Sequence, residues 1–104
     1  MPTLFELRRY PFSAAVIGGA PDEAGVYVLW ESDELTYIGA AGPGGMTIRS
    51  RLTEHLLRQD HCSCSPTHYS WRLARFPQVL EREFLGQYKA QLQDMPRCNK
   101  AGAR

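Results

Sequence analysis

The chain has 104 residues, 43% of them hydrophobic and 11% aromatic, and a formal net charge of +1. That length holds one domain with a real core. The composition excludes a disordered chain, and no apolar run approaches the roughly 18 residues of a membrane span. The opening residues, Met1-Pro2-Thr3-Leu4-Phe5-Glu6-Leu7-Arg8-Arg9, lack the basic-then-apolar layout of a secretory signal. An odd set of three cysteines, Cys62, Cys64 and Cys98, fits a reducing compartment better than a disulfide framework. A cytoplasmic protein with free thiols is the expectation. Charge is unevenly spread: residues 1–34 sum to −4 and residues 35–104 to +5, with Arg49, Arg51, Arg58, Arg72 and Arg75 in the middle. Such a surface attracts phosphates, although a solvated charged face gives the same count.

The N-terminal arm has no clear periodicity and ends in the Gly- and Pro-bearing loop of residues 18–25. Val26-Tyr27-Val28-Leu29-Trp30 reads as a first strand. Glu31-Ser32-Asp33-Glu34 is a polar hairpin connection, and Leu35-Thr36-Tyr37-Ile38-Gly39 returns antiparallel as a second strand. Alternation turns Val26 and Val28 to the core and Tyr27 away from them. After a glycine-rich loop, Thr47 is placed to cap a helix running to about Gln59, with Ile48, Leu52 and Leu56 as its buried stripe.

Residues 61–67 break that pattern. Tyr69, Trp71 and Leu73 alternate with polar and small neighbours as a third strand. Pro77 opens a second helix at its first turn, with Leu80, Phe84, Leu85, Tyr88 and Leu92 on the apolar face. Residues 95–99 end it, with a frayed tail. The predicted fold is α+β, a small three-stranded antiparallel sheet flanked by helices, as one domain over residues 1–104. Trp30 and Trp71 are either core or substrate-facing aromatics.

Several short motifs fall on these elements in order. Gly25-Val26-Tyr27 is followed nine residues later by Tyr37-Ile38-Gly39; Arg51 and His55 share one helix face; Glu81 precedes Phe84-Leu85; and Pro96-Arg97-Cys98-Asn99 closes the set. This series resembles the GIY-YIG nuclease family over about residues 21–99. The resemblance implies a GIY-YIG-like α/β sandwich and a metal-dependent endonuclease that hydrolyses phosphodiester bonds in DNA, whether structured, damaged or foreign. It implies Tyr27, Tyr37, Arg51, His55 and Asn99 as catalytic residues and Glu81 as the ligand of Mg²⁺ or Mn²⁺. Arg49, Gly39 and Arg58 are the expected substrate contacts. No room remains for a separate DNA-recognition domain, so a partner protein or a homodimer is the expected source of specificity.

The chemistry of these residue types agrees with those roles. A phenol with a pKa near 10 needs a neighbouring cation or metal-bound water before it takes a proton. Arg51 and His55, four apart on a helix, set a guanidinium fork beside an imidazole. One carboxylate with water and substrate oxygens is a usual Mg²⁺ environment. Each residue also has a plain structural reading: strand tyrosines pack their rings, a helix face is solvated with Glu54 and Arg58 as a surface pair, and Asn99 forms a turn. Glu83 competes with Glu81, and Arg49 with Arg51. A fold on these elements without turnover would be a silent nucleic-acid-binding module or a protein-interaction domain. His61, Cys62, Cys64, His68 and Cys98 are zinc-type ligands, but Cys-x-Cys is not the usual two-residue knuckle.

Overall fold

The computed structural model describes residues 3–42, 45–58 and 65–101. Among these the chain runs from a 3-10 turn at Leu4–Glu6 through β1 (Tyr10–Pro11), α1 (Ala14–Ile17), β2 (Gly25–Glu31) and β3 (Glu34–Ala41). It continues with α2 (Ile48–Arg58), β4 (His68–Leu73), α3 (Pro77–Leu92) and α4 (Arg97–Ala101). The four strands form one antiparallel sheet in the order β1-β4-β2-β3, so β2 is central and β3 is an edge. The expected count of three strands is corrected to four. The added strand is two residues long and includes Pro11, which an edge tolerates but which leaves no periodicity to read.

Helices cover both faces of the sheet. On one side Val26, Val28, Trp30, Leu35 and Ile38 pack with Phe84 and Tyr88 of α3 and with Leu4. On the other, Tyr27, Leu29, Ala41 and Tyr69 pack with Ile17, Ala20, and Ile48 and Leu52 of α2. Val26 and Tyr27 do face opposite ways, but Tyr27 is as deeply buried as the valines. Trp30 is core, its indole Nε1 donating to Ser70 Oγ at 2.9 Å, while Trp71 is half-buried and stacks on Tyr10.

A bulge in the β2–β3 ladder decides which way β3 presents its side chains. Leu29 pairs with Tyr37, yet Trp30 pairs with Leu35, which leaves Thr36 as the extra residue. Thr36 is buried, and its Oγ1 donates to the Leu29 carbonyl at 3.2 Å. Without the bulge, Leu35 and Tyr37 would share a face. With it, Leu35 joins the α3 side and Tyr37 the α2 side.

Thr47 caps α2, accepting the Ser50 amide at 3.1 Å while Ser50 Oγ accepts the Thr47 amide at 2.9 Å. Pro77 opens α3, and Leu80, Phe84 and Tyr88 face the core. Leu92 does not: it is 54% exposed. Each four-residue step turns the stripe by about 40°, so Leu92 has drifted about 120° from Leu80.

The frayed tail is also corrected. α4 is held to the β2–β3 hairpin by Arg97, whose Nη2 lies 2.7 Å from Glu31 Oε1 and 3.4 Å from Glu34 Oε1. Beside it Cys98 is fully buried and disulfide-bonded, which corrects the expectation of free thiols for this cysteine. An odd total still allows one bridge, so the cysteine count no longer argues for a reducing compartment. His61, Cys62 and Cys64 lie outside the described residues, and His68 Nδ1 is hydrogen-bonded to Thr67 Oγ1 at 2.9 Å. No described helix is long and apolar enough to cross a membrane.

The N-terminal arm, which sequence periodicity leaves undefined, belongs to the core. Leu4 is fully buried and its amide donates to Gln87 Oε1 on α3 at 2.8 Å. Leu4→Ala is expected to lower unfolding free energy by about 2–5 kcal/mol, measured by urea denaturation.

Candidate active site

Tyr27 enters the site from the central strand, Tyr37 from the edge strand, and Arg51 and His55 from successive turns of α2. The Tyr27 hydroxyl is hydrogen-bonded to His55 Nε2 at 2.9 Å. The three rings form a close triangle, with centroids 6.0 Å apart for Tyr27–Tyr37, 5.4 Å for Tyr27–His55 and 5.3 Å for Tyr37–His55. Tyr27 has 0% exposure, whereas Tyr37, Arg51, His55 and Glu81 are each half-buried and reach the surface.

Gly39 lies opposite Tyr27 in the ladder and is buried beneath these rings. A Cβ there would sit 2.6 Å from the Tyr27 hydroxyl and ring and 2.7 Å from Tyr37 Cε2. Any side chain would therefore push the phenols apart. Gly39 thus has a steric role: the position must be glycine so that two phenols can meet above it.

Burial pushes the Tyr27 phenol far above the usual tyrosine range, and the neighbouring Tyr37 adds to this against the opposing pull of Arg51. Tyr37 is also raised, first by burial and further by the Glu81 charge, with the Tyr27 hydrogen bond and Arg51 working the other way. Of the two phenols, Tyr37 is the one that Tyr27 and Arg51 help to ionise. Burial disfavours the Arg51 cation, but the Tyr27 phenol, Glu54 and Tyr37 outweigh it and raise its pKa. Arg51 Nη1 pairs with Glu54 Oε1 at 3.2 Å, and its buried Nε has no hydrogen-bond partner among the described residues.

Glu81 stands one turn into α3 and acts on Tyr37 across the β3 edge. Burial raises its pKa, with Arg82 offsetting part of the effect. Among the described residues Glu81 has no hydrogen bond or ion pair. Glu83, two positions on, has a buried Oε2 without a partner among the described residues. Glu81 is the acid whose charge raises the Tyr37 phenol. Among the described residues no three His, Cys, Asp or Glu side chains cluster as a metal set.

Arg49 and Asn99 also bond to the frame around the site. Arg49 Nε donates to the Ala20 carbonyl at 2.9 Å, tying the start of α2 to the loop before β2, so Arg51 and not Arg49 faces the phenols. The Arg58 side chain lies outside the described residues. Asn99 is committed on both sides of its amide: Oδ1 accepts the Ile38 amide at 2.8 Å and Nδ2 donates to the Ile38 carbonyl at 2.9 Å. It acts as a one-residue substitute for a neighbouring strand on the β3 edge, next to Tyr37 and Gly39. Thr36 is the site-forming residue that motif reading misses. Its signal is that Leu35 and Ile38, three apart, are both apolar, which a period of two cannot satisfy without a bulge.

The chain matches no protein-family model and no curated protein.

Two outcomes test this geometry. Asn99→Ala leaves the Ile38 amide and carbonyl unpaired and is expected to cost about 1–3 kcal/mol in urea unfolding. Because Tyr27 and Tyr37 are raised in the folded state, their stability contribution is full below the unfolded value near 10 and is lost as pH rises toward the folded values. Unfolding followed against pH should show stability falling above about pH 10, and Tyr27→Phe should reduce that fall.

Proposed function

We propose that this chain is a metal-dependent phosphodiesterase of the GIY-YIG type, acting on DNA. The observation that carries the reading is the meeting of two phenols, an imidazole, a guanidinium and a carboxylate unpartnered among the described residues, at one edge of the sheet. A purely structural tyrosine pair would need neither the cation beside it nor a desolvated carboxylate facing it.

A divalent cation, Mg²⁺ or Mn²⁺, suits Glu81. A half-buried carboxylate whose pKa is raised by burial, and which has no partner among the described residues, gains from a cation beside it. Glu81 would hold the ion with water and substrate oxygens completing the set. When bound, the ion supplies charge stabilisation for the pentacoordinate phosphate and its leaving oxygen.

The chain's own residues carry the other tasks. Arg51, half-buried at the site, presents the exposed part of its guanidinium fork to phosphate oxygens. Tyr37, half-exposed and flanked by Arg51, takes or orients the proton of the attacking water. Tyr27 has no exposed surface, so it works through its neighbours: its hydroxyl holds His55 in place and offers a hydrogen bond to Tyr37. It is a positioning residue. His55, bonded to Tyr27 and packed against the Tyr37 ring, completes the relay from α2.

The reading separates function from stability at one position. With its pKa raised by folding, Glu81 favours the folded state fully below the unfolded carboxylate value near 4.3, and that contribution is lost as pH rises through the folded value. Glu81→Gln is therefore expected to be no less stable than the parent at pH near 7, while losing all Mg²⁺- or Mn²⁺-dependent nicking of supercoiled plasmid. Arg51→Ala should lower the same rate by about 10²–10³. Full nicking activity in Glu81→Gln would refute the assignment, as would a parent chain inactive on plasmid, single-stranded and branched DNA with either metal.

A further inference from the structure

The first turns of α3 and the strand before it carry a surface that the catalytic reading does not use. Phe76, at the helix N-cap, is 66% exposed and Val79, one turn on, is 60% exposed. Arg72, Arg75 and Arg82 around them are exposed as well. Helical spacing sets Val79 and Arg82, three residues apart, on one strip, and Arg75 lies just before the helix start. Arg72 pairs with Val26, whose side chain faces α3, so Arg72 stands on the α3 side of the sheet. Between Ser65 and Leu80 there is no Asp or Glu. The ion pairs among the described residues use Arg9, Arg51 and Arg97, leaving Arg72 and Arg75 without a carboxylate partner there.

An exposed phenyl ring among unneutralised guanidinium groups is costly to leave in water and poorly matched to an apolar partner. It matches an unpaired nucleic-acid strand, whose phosphates meet the arginines and whose bases offer faces for stacking. In a duplex those faces are occupied by neighbouring bases, so Phe76 could add nothing there while the arginines still contact phosphates. Phe76 and the proposed metal ligand Glu81 are about 7.5 Å apart along the helix axis and about 140° apart around it, so a strand reaching both crosses the helix. Arg82 already acts on Glu81 electrostatically.

We infer that the Arg72–Phe76–Arg82 surface docks a single-stranded DNA segment flanking the cleaved phosphate, so that the preferred substrate is a junction between duplex and unpaired DNA. This deepens the nuclease reading and rests on it for the word substrate; the docking itself does not require turnover.

The test uses the full chain carrying Glu81→Gln, so that binding is measured without cleavage. Fluorescence anisotropy compares a splayed-arm duplex with a blunt duplex of equal length between about 50 and 200 mM salt. Adding Phe76→Ala is expected to weaken splayed-arm binding about tenfold and blunt-duplex binding less than about twofold. Arg72→Ala and Arg75→Ala should weaken both and each lower the salt slope by about one. Phe76 is exposed, so circular dichroism should show these variants folded. Equal effects of Phe76→Ala on both DNAs, or none on either, would overturn the proposal. So would affinity insensitive to salt, the result expected if this surface serves a protein partner. Selective loss with Phe76→Ala, where the parent chain cleaves no DNA with either metal, would keep the docking surface and sink the nuclease reading. Cleavage of the splayed-arm duplex by the parent chain that is indifferent to Phe76→Ala would do the reverse.

Discussion

A phenol with no exposed surface must have its hydrogen bond satisfied inside the protein, and Tyr27 meets that demand at His55 Nε2, 2.9 Å away. This one contact joins the central strand to the second turn of α2. It fixes the rotation of the helix on the sheet, and with it the direction in which Arg51, one turn earlier, points. Gly39 makes the contact possible by leaving the space above β3 to the two phenol rings. Burial then divides the labour: Tyr27 keeps its proton and supports, while Tyr37, Arg51 and Glu81 keep surface that a substrate can touch.

The edge strand needs more help than the centre, because it carries half of the site with a neighbour on only one side. Two devices supply it. The bulge at Thr36 turns Tyr37 toward α2 and Leu35 toward α3, so that one strand serves the site and the core at once. Asn99 then pairs with both backbone groups of Ile38 from α4, and Arg97 anchors that helix to the carboxylates at the hairpin end. A terminal segment that looks like a loose tail is thus the support of the site's exposed side. The Cys98 disulfide, buried beside Asn99, adds a covalent tie at the same place.

Much of this was legible in the residues. The hairpin, the Thr47 cap, the Ile48–Leu52 stripe and the Pro77 start of α3 follow from alternation, capping and helical period, and each occurs where those rules put it. Pairwise spacing also put Arg51 and His55 on one helix face. What escaped is what depends on tertiary contact. β1 has two residues and no period. The burial of Leu4 depends on α3, about 80 positions away in sequence. No local pattern shows that Tyr27 is sealed off and Tyr37 exposed, since two strand tyrosines look alike until both faces of the sheet are covered. Asn99 was legible as a residue of interest but not as a backbone clamp, because its partner lies 61 positions away. Cysteine counting failed because parity says nothing about a single bridge.

The central claim is that Tyr37, supported by buried Tyr27 and by Arg51, is the phenol that engages the attacking water. The most direct measurement is the single-turnover cleavage rate against pH for the parent chain and for Tyr37→Phe at saturating Mg²⁺. With a base whose pKa is raised, the parent's rate should climb with pH across the neutral and mildly alkaline range. Tyr37→Phe should be slower by about 10²–10⁴ and lose much of that dependence. A phenylalanine variant that matched the parent in rate and pH profile would contradict the account.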